Sequence, residues 1–200
     1  MPKNYPPAVL TVSKIISNFF NPLTSLIIYF VYSSAEEYSA RAAFERFVPI
    51  LLLTVLPIVI WLVWNVRTGK YSNMDVSNRQ QRKSLYFFIA GSMVVYLLYD
   101  YLKNGTLDLI MLFLLVLLLV MQLSNYYIKS SMHTAFNVFV AALFFYRDTT
   151  WGIAWLLIAT LVGITRIILK RHTVKEVFMG GSIALFVSFI YLYSAIQTQH

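Results

Sequence analysis

The sequence predicts an all-α, polytopic transmembrane helical bundle of six to seven spans. The first sign is composition, with 59% hydrophobic and only 12% charged residues, where a soluble domain carries about 25% charge. The second is the length of the apolar runs, which approach the roughly 20 residues that a membrane-crossing helix needs. The third is their spread over the chain with no polar block between them, which predicts a single integral membrane domain over 1–200.

Taken in order, the polar interruptions delimit seven spans: Phe19–Ser33, Phe47–Val66, Leu85–Leu102, Leu107–Leu123, Thr134–Tyr146, Trp151–Ile168 and Val174–Ile196. The second is bracketed by Arg46 and Arg67, and Pro57 inside it is a candidate kink. From Leu107 to Val120 the fourth is almost wholly Leu, Ile, Val, Met and Phe, whereas the first has polar ends and the fifth is short for a full crossing. Tyr and Trp gather near the span ends, where amphipathic rings favour the headgroup zone. Asp100 and Asp108 also fall at span ends, as interfacial residues do. The segment Met1–Pro7 has no short apolar core followed by a small-residue cleavage site, so the first span is expected to act as its own insertion signal.

Seven crossings place 12 of the 16 Lys and Arg residues on one side, leaving Arg41, Arg46, Lys103 and Arg147 on the other. The positive-inside rule then puts the basic side in the cytoplasm, in what is expected to be a bacterial cytoplasmic membrane. The absence of cysteine excludes a disulfide framework, a thiolate nucleophile and a cysteine-held metal or iron–sulfur centre.

The polar residues of the basic side fall in three groups. Arg79 and Arg82 precede the third span, Lys129, Ser130, Ser131 and His133 open the fifth, and Arg166, His172 and Glu176 join the sixth to the seventh. An arginine such as Arg166 just inside an apolar run costs roughly 2.5–3.5 kcal/mol to insert, so it either snorkels to lipid phosphate or serves a site. His172 and Glu176 are four apart. On a helix they share a face, and the carboxylate can hold the proton of one ring nitrogen while the other acts as base or nucleophile.

Together these groups resemble the type 2 phosphatidic acid phosphatase superfamily, whose signature runs K-x6-R-P, P-S-G-H and S-R-x5-H-x3-D. The third element reads Thr165-Arg166, then His172, then Glu176, with both spacings kept, and Gly180-Gly181 follow. The second reads Ser130-Ser131-Met132-His133, without the family's proline and glycine. In the first, Arg82 or Arg79 stands for the family arginine, Lys83 replaces the proline, and Asp75 stands at the lysine position when Arg82 is aligned; Lys70 or Lys129 is then the candidate substitute cation. The resemblance covers about 79–181.

It implies a membrane lipid phosphatase with a PAP2-like core that hydrolyses a phosphate monoester or diphosphate of a phosphatidate-type or polyprenyl diphosphate-type lipid, without metal or cofactor and without a nucleic-acid partner. His172 would be the nucleophile, Glu176 its orienting carboxylate and His133 the acid for the leaving oxygen. Arg82, Arg79, Arg166, Ser131 and Lys129 would hold the phosphoryl group. Two other readings stand beside it. His133, His172 and Glu176 are the residue types of a two-histidine, one-carboxylate zinc site, although no His-Glu-x-x-His helix is present. Alternatively, the chain is a transporter or scaffold whose basic face binds anionic headgroups, although no acidic residue lies in mid-span and no pair of Gly/Pro-broken helices occurs.

Overall fold

The computed structural model describes residues 5–76 and 78–198; Lys3, counted above with the basic side, lies outside them. The described chain is helical, in the order α1 (Pro7–Phe19), α2 (Pro22–Glu37), α3 (Ala40–Ile50), α4 (Leu56–Arg67), α5 (Arg79–Asn104), α6 (Leu109–Ser124), α7 (Met132–Arg147), α8 (Thr149–Ile168) and α9 (Val174–Gln197). It forms two compact units. One comprises Met1–Val31 with Ile128–His200, and the other Tyr32–Tyr127.

The expected first span, Phe19–Ser33, starts on the last residue of α1 and otherwise lies almost wholly in α2; α1, which no expected span covers, meets α2 at a 55° bend. The cause is local. The Asn21 side chain accepts the amides of Leu23 and Thr24 at 3.0 and 3.1 Å, and Pro22 opens α2 at the position where a missing N–H matters least. The expected second span begins earlier, at Ala40, because the Ser39 hydroxyl accepts the Ala42 amide at 3.3 Å and caps α3. From there helix runs for 28 residues to Arg67. A π turn over Leu51–Val55 interrupts it just before Pro57. Proline donates no hydrogen bond and crowds the preceding turn, and widening that turn accommodates both effects.

Among the described residues, four helical stretches are long and apolar enough to cross a membrane: Ala40–Arg67, Arg79–Asn104, Thr149–Ile168 and Val174–Gln197. The bent α1–α2 pair makes a fifth if counted as one span, and α6 is apolar but shorter.

In the second unit α5 packs on α4 and α6. The Trp61 indole donates to the Tyr71 hydroxyl at 3.1 Å and stacks on Phe88 at 4.3 Å, which holds the loop after α4 against the α4–α5 pair. Gly105, at φ 72°, ends α5 in the left-handed conformation that glycine adopts without strain. Asp108 caps α6 through the Met111 amide at 3.0 Å, and its own amide donates to Asp100 at 2.9 Å. Both aspartates therefore build the α5–α6 turn.

In the first unit α7 is the axis, packed by α8 and α9, with α1 against α8. Every residue of α7 from Thr134 to Phe144 is buried, so this helix, expected as the fifth span, meets other helices on all sides. Sixteen residues rise about 24 Å at 1.5 Å each, short of a hydrocarbon core about 30 Å thick. Asn137 supplies its polar link: its amide nitrogen donates to the Phe20 and His133 carbonyls at 2.9 and 2.8 Å, and its oxygen accepts from the Ser25 hydroxyl at 2.9 Å.

The helices surrounding α7 turn small and polar residues inward among their packing groups and leave large apolar residues exposed outward. On α1, Ser13 and Ser17 are buried while Val12, Ile15 and Phe19 are exposed. On α8 and α9, Gly152, Gly163, Gly180 and Ser188 face inward while Leu157, Phe178, Phe186 and Phe189 face outward. Water would expel such a surface. A bilayer accepts it, and small residues at the packing face let helix backbones approach closely.

Candidate functional site

The turn between α8 and α9 is built around one carbonyl. Arg171 and His172 both donate their amides to the Arg166 carbonyl, at 3.0 and 3.3 Å, while Lys170 at φ 55° reverses the chain. Thr173 then caps α9 in a capping box: its hydroxyl accepts the Glu176 amide at 3.3 Å, and Glu176 Oε2 accepts the Thr173 amide at 3.0 Å. The same Glu176 oxygen lies 3.0 Å from His172 Nδ1. The His172 side chain is 1% exposed and that of Glu176 is 20% exposed. A ring nitrogen against a carboxylate fixes ring orientation and favours the tautomer protonated at Nδ1.

The N-terminus of α7 is fastened to this turn. Ser131 donates its amide to the Glu176 carbonyl at 3.0 Å. Its hydroxyl accepts from the Thr134 amide and hydroxyl, at 3.4 and 3.0 Å. The approach requires glycine at position 180, where a Cβ would stand 2.6 Å from the Ser131 carbonyl oxygen. Lys129 donates to the Arg171 carbonyl at 3.1 Å, tying the segment before α7 to the same turn. His133 lies half-buried in the first turn of α7.

Arg166 is buried in the last turn of α8 and donates from Nη1 to the Ser17 hydroxyl at 3.1 Å. Of the residues singled out in the sequence, the first unit thus gathers Lys129, Ser131, His172 and Glu176 around one turn, with Arg166 supplying its central carbonyl and His133 two residues beyond Ser131.

Arg79 and Arg82 belong to the second unit. Arg79 donates from Nε to the Asn125 carbonyl at 2.5 Å and from Nη2 to that of Tyr126, closing the C-terminus of α6. Arg82 is buried and donates from Nε to the Val76 carbonyl at 3.2 Å, beside a valine in the sparsely populated left-handed region at φ 44°.

Comparison with protein-family models, with curated proteins and with solved structures finds no match to this chain.

The partners missed in the sequence are Ser17, Thr173 and Asn137. Thr173 and Glu176 carry the three-residue capping-box spacing, a legible signal. Ser13 and Ser17, one turn apart in an apolar helix, mark its packing face. The zinc alternative needs three ligands together, and among the described residues no three His, Asp or Glu side chains gather closely enough to hold a metal ion.

Proposed function

We propose that the chain is an integral-membrane lipid phosphatase with a core like that of the type 2 phosphatidic acid phosphatases. On this reading it crosses a bacterial cytoplasmic membrane six to seven times and acts from the basic, cytoplasmic side on a phosphate monoester or diphosphate of a lipid. The observation that carries the proposal is the 3.0 Å contact of His172 Nδ1 with Glu176, in a turn fastened to Ser131. The bond from the Ser131 amide to the Glu176 carbonyl joins the second and third elements of the family signature, a contact that neither element's local sequence requires.

In this scheme Glu176 keeps the proton on Nδ1, and the lone pair of Nε2 attacks phosphorus. The bond from phosphorus to the lipid oxygen breaks, and His133 gives that oxygen a proton. The neutral His133 then takes a proton from water, whose oxygen displaces phosphate from Nε2. Within the first unit, charge on the equatorial oxygens is met by Arg166 and Lys129, and the Ser131 hydroxyl retains its own proton to donate. Phosphoryl transfer is governed chiefly by such positioning and charge.

The test is phosphate release from a panel of lipid phosphates by purified protein in detergent, with EDTA present. Release that resists EDTA and disappears in His172→Ala is expected. Loss in EDTA favours a metal site, and absence of release from every lipid favours the transporter or scaffold reading.

A further inference from the structure

Besides the His172 turn, the first unit holds a cleft of about 490 Å³ between the start of α1 and the end of α8. Leu10, Thr11 and Lys14 line it from α1, Ile168, Leu169 and Lys170 from the end of α8, and Tyr5 precedes them in the chain. Leu10 and Lys14 are one helical turn apart, as are Thr11 and Lys14, so one strip of α1 presents an apolar group, a hydroxyl and a cation together. Lys170 enters the cleft from the left-handed residue that terminates α8. Both lysines are exposed, the lining contains no carboxylate, and among the described residues neither lysine forms an ion pair.

Two ammonium groups sharing a cleft repel one another until an anion joins them. The rest of the lining selects which anion. Leu10, Ile168 and Leu169 give the cleft an apolar floor, which a small inorganic ion leaves wetted and an acyl chain covers. The position agrees, because α8 is long and apolar enough to cross a membrane and its end therefore falls near headgroup depth. The exposed Val12, Ile15 and Phe19 of α1 lie alongside to meet lipid chains. Basic pockets between membrane helices hold phospholipid headgroups by this combination.

We infer that the cleft is a binding site for an anionic phospholipid, its phosphate held by Lys14 and Lys170 and its chains laid over Leu10, Ile168 and Leu169. Lys170 shares the α8–α9 turn with His172, but neither His172 nor Glu176 lines the cleft, and the inference does not rest on the phosphatase proposal.

The probe is phosphatidylglycerol, whose phosphodiester is not a phosphomonoester substrate. It is titrated onto the purified full-length protein in neutral detergent, and retained lipid is counted by native mass spectrometry. Phosphatidylcholine and soluble glycerol phosphate form the other arms. Phosphatidylglycerol is expected to be retained over phosphatidylcholine, with affinity falling about five-fold for Lys14→Gln or Lys170→Gln and roughly twenty-five-fold for both, at about 1 kcal/mol per lysine. Lys14→Arg/Lys170→Arg should keep the affinity, and Lys103→Gln in the other unit should leave it unchanged. Should the double glutamine variant fail to purify, the two single variants decide. Unchanged retention in the glutamine variants, or equal retention of phosphatidylcholine, overturns the inference. Displacement of phosphatidylglycerol by equimolar glycerol phosphate also overturns it, because it makes the cleft a site for small phosphates.

Discussion

The amide of Ser131 donates to the carbonyl oxygen of Glu176 across 3.0 Å, joining the N-cap of α7 to the first turn of α9. Residues 45 positions apart in sequence are thereby set against each other by backbone, a contact indifferent to side-chain identity so long as nothing intrudes between the helices.

Gly180 keeps that space open. Gly180→Ala would set a methyl 2.6 Å from the Ser131 carbonyl oxygen, whereas at Gly181 the nearest atom is a Thr134 methyl at 3.9 Å. Gly180→Ala is expected to destabilise by roughly 1–3 kcal/mol, the usual cost of overpacking, and Gly181→Ala to be nearly neutral. Thermal unfolding in detergent separates the two, and equal midpoints would mean that the helices part without cost.

Glu176 serves both as helix cap and as partner of His172. If the proposed chemistry is right, Glu176→Gln should lower phosphate release by about 10–100-fold, the usual effect of losing a carboxylate that orients a histidine. Its unfolding midpoint should shift little, since glutamine also serves in a capping box. Unchanged release with an altered midpoint would assign the residue to structure alone.

Asn137 satisfies Ser25, Phe20 and the His133 carbonyl in the interior of the first unit. Asn137→Leu leaves buried polar groups without partners and is expected to cost about 1–3 kcal/mol. Ser25→Ala combined with it should restore part of the loss. A double-mutant cycle on unfolding free energy measures the coupling, and strict additivity would show that the contact carries none.

Asp148 gives a pH dependence of known sign. Hydrogen bonds from the Trp151 amide first, then the Thr150 amide, hold its carboxyl below the usual aspartate value. A depressed folded-state pKa means stability that is present above the unfolded-state value and lost as pH falls through the folded one. Stability measured from pH 7 to pH 3 should therefore decline more steeply in wild type than in Asp148→Asn, which caps α8 without titrating. Parallel profiles would leave the acid sensitivity to other groups.

The helical class was legible because low charge and apolar runs of bilayer length leave few other folds, and those runs located most helices. Their ends were less legible, since capping decides them: Asn21 sets the start of α2 three residues inside the first expected span, and Ser39 starts the second seven residues early. In α7 the burial of every face removes the periodicity that separates a sheathed helix from a lipid-facing one. At the site, the spacing of His172 and Glu176 foretold their contact but not its form: α9 begins at Val174, and the capping box at Thr173, rather than a shared helix face, turns Glu176 back to the ring. The pairing of Arg166 with Ser17 spans 149 residues and no local pattern encodes it. The carbonyl partners of Arg79 and Arg82 were likewise hidden, because a backbone acceptor leaves no trace in residue identity.

The enclosure of α7 also dictates an order of events during synthesis. The helix is made after α1 and α2 but before α8 and α9, the neighbours that pack most of its surface. While they are still being translated, Asn137 already has Phe20 and Ser25 to bond, whereas the Ser131 amide lacks the Glu176 carbonyl that it meets in the finished unit. Assembly of this unit is therefore completed only when its last hairpin arrives, and a chain stalled after α7 exposes a helix that the finished unit encloses.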